Sequence, residues 1–413
     1  MPESAMPRSK RIFYGWYVVY AVCLVLTTMS GLGFYNLSVL LDAFVAERSF
    51  PVALASGATA CYFIGSGTGG ILAGWLIDRI DPRIVVIASA CVSALALGSI
   101  GLLRDPVQLY VFHLVFGLAY GCGGLIPNVT VVARWFEARR PQALSIASTG
   151  LSLGGIAVTP LSAWLIEHHG IAGAAPWLGA AIFIGVVPLT ALVVRPSPHA
   201  MGLVPDDAPR PNIGETVGPS SGTAFAPAMR SRFFIAVAAS YFFVMGAQVG
   251  AIAHLYRLAK ISVNGDIAAV AVALVASASV IGRLSGGWLL LKVSARAFTL
   301  VMFALQACAL VVLSSAHDAA VLLIGTVLFG LSMGNVLMMQ PLLLAEAFGT
   351  RCFGRIYSVS QFATMPGVAG GPALLGIIFA LTEAYAAPYL VAAGGTVVGI
   401  AVLLLAGNPR RPR

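Results

Sequence analysis

Arg283 has the strongest claim to chemistry in this sequence. It sits inside the apolar run 267–291, which holds no acid to pair with it. A permanent charge at the centre of a membrane helix costs about 3 kcal/mol on insertion scales. Such a guanidinium needs a partner from another helix, from water or from an anionic ligand. A carboxylate suits it well, because arginine's planar fork offers two parallel hydrogen bonds. The plainer alternative is an arginine that reaches toward the membrane surface, since it stands eight residues before Leu291.

Other polar side chains in apolar runs are candidates to line the same cavity. His113, Gly117, Tyr120, Gly124 and Asn128 recur at intervals of 4, 3, 4 and 4, which keeps them on one helix face. Tyr120 and Asn128 are candidate cavity residues, and His113 reads as a structural histidine with an internal partner. His254 and Arg257 share a face near an outward helix end. His254 is a candidate for substrate contact and for proton coupling, because imidazole titrates in the physiological range. Its alternative is an interfacial histidine beside an Arg257 that reaches the headgroups. Tyr357, Gln361 and Thr364 fall at i, i+4 and i+7, while Asn335 with Gln340 and Tyr35 with Asn36 occupy two further runs. Each could bind substrate, and each could equally satisfy a neighbouring helix. Ser145, Ser148, Ser152 and Gly155 read as close helix packing, as do Gly65-x-x-x-Gly69 and Gly282-x-x-x-Gly286.

These residues need apolar helices to hold them, and the composition supplies little else. Of 413 residues, 59% are hydrophobic and 9% charged, with a mean hydropathy of +0.92. Soluble domains carry about 25% charged residues, so a soluble, disordered or nucleic-acid-binding chain is excluded despite the net charge of +9. Apolar runs lie near 17–44, 52–77, 84–103, 107–133, 143–166 and 174–194, then 233–259, 267–291, 297–315, 319–345, 356–381 and 385–406. This predicts an all-α membrane protein of twelve spans, with short loops near Pro51, Pro106 and Pro176. With the amino terminus inside, nineteen Lys and Arg residues fall in the cytoplasm and four outside, leaving Arg283 within a span. The positive-inside rule therefore puts both termini in the cytoplasm. The first run is too long for a signal peptide and is expected to be retained.

Residues 196–231, rich in Pro, Gly, Ser, Thr and Asp, read as a cytoplasmic linker between six-helix bundles at 1–195 and 232–413. The halves repeat. GWLIDRIDPR from Gly74 returns as GWLLLKVSAR from Gly287, and Phe136, Arg139 and Ser148 return as Phe348, Arg351 and Ser360. Parallel six-helix repeats are how many secondary transporters are built. The fifteen acids lie in loops or near helix ends, which argues against a mid-membrane carboxylate as the driver. No phosphate loop, HExxH or metal-ligand cluster is present in the sequence, so no enzyme and no cofactor or metal is expected. The six cysteines lack ligand or disulfide spacing.

GWLIDRIDPR resembles the loop motif of the major facilitator superfamily, G-x-x-x-D-R-x-G-R-R, between its second and third helices. Gly74, Asp78, Arg79 and Arg83 fit it, while Asp81 replaces a family glycine. The resemblance implies a charged latch between helix ends at those four residues. Its counterpart in the second half has Leu291 in place of the acid. FYGWYVVYAV, RWFEARRPQALSIAS, VIGRLSGGW and FGTRCFGRIYSVSQF, taken in order, resemble the monocarboxylate porter branch, which includes bacterial lactate and oxalate–formate carriers. In that branch an arginine on the eighth helix holds the substrate carboxylate, and Arg283 matches it. Ser279 stands one turn earlier, where some of these carriers have an aspartate, and is counted with the substrate-contact candidates. Near Gln361, where oxalate carriers have a second basic residue, there is no Lys or Arg, which favours a substrate with one carboxylate. The resemblance implies a monomeric carrier in the plasma (inner) membrane, in contact with lipid, that moves a small organic anion by proton symport. Alternatives on the same fold are efflux of an amphipathic drug or metabolite and organic-anion exchange.

Overall fold

The computed structural model describes residues 12–207, 222–263 and 265–407. Arg8, Lys10, Arg11, Arg210, Arg410, Arg411 and Arg413, used in the charge count, lie outside the described residues. Those described are overwhelmingly helical, with an isolated antiparallel bridge between Gly222 and Gly349 as the extended pairing among them. The amino-terminal part runs α1 (Tyr14–Met29), α2 (Asn36–Arg48), α3 (Val52–Leu76), α4 (Pro82–Gly98), α5 (Pro106–Gly123), α6 (Leu125–Trp135), α7 (Arg140–Leu153) and α8 (Thr159–Leu192). The short α9 (Phe225–Met229) precedes α10 (Arg232–Ser262), α11 (Gly265–Leu289), α12 (Ala295–Ser314), α13 (Ala319–Phe348), α14 (Phe353–Thr382) and α15 (Ala386–Leu405). Among the described residues ten stretches are long and apolar enough to cross a bilayer.

Three departures from the expected spans have local causes. The first run is not one α-helix, because a π-helical segment, Ser30–Tyr35, joins α1 to α2. The fourth breaks between α5 and α6 at Gly124, whose ψ of −126° is not helical. Pro127 follows there and has no N–H to give the carbonyl of Gly123. The side-chain amide of Asn128 donates to that carbonyl at 2.9 Å and to that of Gly124 at 2.7 Å. The turn expected near Pro176 falls instead at Gly170, where φ is +67° and glycine is the residue that adopts it without strain. There the Glu47 carboxylate accepts the Ile171 N–H at 2.9 and 3.0 Å.

One apolar cluster draws only on residues 25–189 and another only on 247–393, while a third mixes residues from α1–α8 with residues from α9–α15. Glycines let neighbours approach backbone to backbone as expected. Gly65 and Gly69 of α3 lie on the backbone of Leu114 and Leu118 of α5, and Gly282 of α11 on that of Leu331 of α13, while Gly286 faces the Asn335 side chain. The segment expected as a linker touches both parts. Asp206 accepts backbone N–H groups of Glu137 and Ala138 at 2.7 and 2.5 Å, and the Thr223 N–H donates to Phe348 at 2.8 Å.

Candidate functional site

Two seams join α1–α8 to α10–α15, and both are built from small residues. Along the first, α7 runs antiparallel to α11. Gly287 lies against Ser145 and Gln142, and the Ser145 hydroxyl donates to the carbonyl of Arg283. One turn on, Arg283 Nη1 donates to the Ser148 carbonyl at 2.5 Å and to Ser152 Oγ at 3.3 Å. Ser152 Oγ in turn lies 3.2 Å from Ser279 Oγ. The serines expected to mark packing therefore do so, and their partner is the helix that carries the buried arginine.

Arg283 is 2% exposed. Its Nε donates to the Gly334 carbonyl of α13 at 2.9 Å, and from the adjacent residue the amide of Asn335 donates to Gly282 at 2.8 Å. The guanidinium is thus fixed by neutral acceptors on two helices, and Nη2 has no acceptor among the described residues. Tyr35 and Cys23 are the ionisable groups whose charge it would feel. Tyr35 ends the π segment, its ring lies against Gly155, and Tyr120 lies within electrostatic reach of it. A second π segment, Gly154–Val158, follows α7 and meets the first. Ser30 Oγ donates to Leu151 at 2.7 Å and Thr159 Oγ1 to Gly31 at 3.1 Å. π turns often mark functional sites. Sequence periodicity does not disclose them, although Gly31, Gly33, Gly154 and Gly155 were the available signal.

The remaining candidates divide. Arg283, Ser279, Asn335, Tyr35 and Tyr120 come together. Asn128 is engaged by the backbone of the α5–α6 break, and His113 bonds Leu109 at 2.9 Å, as its structural reading expected. Tyr357 is buried and stacked on Phe353, and its hydroxyl has no partner among the described residues. Gln361 is half-buried with no described hydrogen bond. His254 joins Tyr385 and Pro372 at 3.2 and 3.0 Å, both within the carboxy-terminal helices, and Arg257 stacks on Phe379 nearby.

The second seam pairs α3 with α14. Gly74 meets Ser358 and the Gly354 carbonyl, and Asp78 lies against Gly354 in the first turn of α14. The Asp78 carboxylate oxygens are buried without a hydrogen-bond donor among the described residues. Burial lifts this carboxyl to about 6 against the pull of Arg134 and Arg355. A helix start carries partial positive charge, so the carboxylate faces a helix end and feels the charge of Arg134 and Arg355, whereas the latch was expected at Asp78 with Arg79 and Arg83. Arg79 lies over Trp75 instead, at 3.7 Å from the ring centre. Arg83 binds Asp81, the cap of α4, at 2.6 and 2.9 Å. Burial would raise the Asp81 carboxyl, but the Arg83 bonds outweigh it and hold it below the usual carboxylate range.

One helix seam thus buries an arginine and the other a carboxylate, and the comparisons supply the family. The chain belongs to the Major Facilitator Superfamily, whose model matches residues 23–372. It is a multi-pass membrane transporter and not an enzyme. It is 25% identical over 408 residues to Monocarboxylate transporter 13 of Rattus norvegicus, covering 95% of this chain and 88% of that protein. It is 28% identical over 203 residues to a gallate transporter of Pseudomonas putida, covering 47% and 41% of the two chains. A solved structure of the family's FucP, in the outward conformation, superposes with a TM-score of 0.69 at 16% identity, over 94% of this chain and 98% of that one. It shares the fold.

Proposed function

We propose that this transporter carries a small organic monocarboxylate by alternating access, with Arg283 as the carboxylate's partner. The observation that carries the reading is a buried guanidinium whose hydrogen-bond acceptors among the described residues are all neutral, with none at Nη2. A carboxylate would neutralise it, and we assign Tyr35, Tyr120, Ser279 and Asn335 to shape the space around it. Relatives named for monocarboxylates and for gallate support an organic acid as cargo.

The architecture we assign has twelve spans. The 53-residue stretch Arg140–Leu192 counts as two across Gly170, and α3 is added to the stretches already counted. Residues 1–195 and 232–413 form two repeated bundles, the end bearing the α3–α4 turn faces the cytoplasm, and the monomer sits in the plasma (inner) membrane. Proton symport is the assigned coupling, through His254. The Pro372 carbonyl can only accept, so neutral His254 carries its proton on Nε2 and accepts from Tyr385 on Nδ1. Protonating Nδ1 would turn that hydroxyl around.

Arg283→Lys and Arg283→Ala should each lower benzoate or lactate uptake into proteoliposomes more than tenfold, with membrane insertion unchanged. Normal uptake by both would overturn the site assignment. Uptake indifferent to an inward proton gradient would remove symport. Thermal stabilisation by cationic amphiphiles and by no carboxylate would move the reading to efflux.

A further inference from the structure

The arginine at the α7–α11 seam has two claims on it at once. Its Nη1 serves α7, through the Ser148 carbonyl and Ser152 Oγ, and its Nε serves α13, through Gly334. A bidentate carboxylate needs two adjacent N–H groups, either Nη1 with Nη2 or Nε with Nη2. With both of those partners in place Nη2 alone is left, and its two N–H bonds diverge, so one carboxylate can accept only one of them. A full grip therefore requires the guanidinium to leave one of its internal acceptors. The Gly334 contact lies within the carboxy-terminal helices, whereas the Ser148–Ser152 contact crosses between the two parts of the chain. Ser145, Ser152, Ser279 and Gly287 continue that crossing on either side.

We propose that α7 and the substrate carboxylate compete for the Arg283 guanidinium, so that binding the anion unfastens α7 from α11, with Ser152 as the positioning residue that sets the balance. The inference rests on the carboxylate reading above for its ligand, but the fastening itself exists without one. An internal acceptor that occupies the guanidinium lowers apparent affinity in proportion to the fraction of time that the guanidinium is free. The Ser152 hydroxyl is the part of the contact that mutation can reach, since the Ser148 acceptor is backbone.

The test uses the full chain in nanodiscs, with benzoate as the probe, and spin labels at positions 139 and 351 to follow the separation of the two parts without ligand. Ser152→Ala should raise benzoate affinity about three- to tenfold, the equivalent of one modest hydrogen bond, and shift the ligand-free distance distribution toward separation. Ser152→Asp places a resident carboxylate beside Arg283. It should weaken benzoate binding more than tenfold and hold the parts together, while the equally sized Ser152→Asn stays within threefold of the parent. A purely structural serine would make Asp and Asn behave alike, and that result overturns the proposal. So does a folded Ser152→Ala with unchanged affinity and distances. If Arg283→Ala still binds benzoate, the carboxylate reading fails. The ligand-free distances then judge the fastening by itself.

Discussion

The two seams solve one problem, joining separate helical groups reversibly, with opposite electrostatics. At α3–α14 a buried carboxylate faces a helix start and two arginines, Arg134 and Arg355. At α7–α11 a buried cation is held by serines and backbone carbonyls, with no acid among its hydrogen-bond partners. The first seam carries its own opposite charges and responds to protons. The second has half of an ion pair, and in the proposed function the substrate anion supplies the other half. The proposed function thereby puts ligand sensitivity and pH sensitivity on different helices of the same interface.

The strongest way to break this division is to prevent closure at one seam alone. Gly74→Val would drive a side chain into the Gly354 carbonyl and Ser358. It should abolish most uptake and cost about 1–3 kcal/mol of stability, while benzoate still binds; uptake assay and titration separate the two. An intermediate effect belongs to Asp78→Asn. The folded carboxyl keeps its proton up to about pH 6, whereas a free one releases it near 3.8. The folded protein therefore binds more protons in that window, and stability falls as pH rises from about 4 to 6 and is level above. The Asn variant should flatten this slope in thermal unfolding measured in detergent, leaving benzoate affinity untouched. The smallest effects are expected at Arg79→Gln and Arg83→Gln. These side chains are engaged by Trp75 and Asp81, so each should change stability by less than about 1 kcal/mol and leave the pH slope in place. Loss of that slope in either variant would return them to the latch.

Arg283 was legible because charge is scarce in this sequence, and one cation in an apolar run stands out. The serines of α7 were legible as a packing face, since their spacing alone says that something sits close. Which helix packs there depends on tertiary arrangement, which spacing does not encode. Asn128 shares a helical face with Tyr120 only if the helix is continuous, and Pro127 with Gly124 breaks that continuity. The α5–α6 break thus turned a cavity candidate into a backbone cap. Arg134 and Arg355 lie far from Asp78 in sequence and reach it only by folding, so the motif's own arginines stood in for them on paper.

The π segment at Ser30–Tyr35 has a consequence for length variation. A π turn spends one residue more than an α turn on the same revolution, so it acts as a one-residue insertion absorbed within a helix. Removing a single residue there would let α1 and α2 fuse as a regular helix and rotate everything beyond by about 100°. Asn36, whose Oδ1 now accepts from Ser162 at 2.7 Å, would swing away from α8, and Tyr35 away from Arg283. Substitutions in this stretch can be graded, but a single deletion would re-aim all of the first span that follows it.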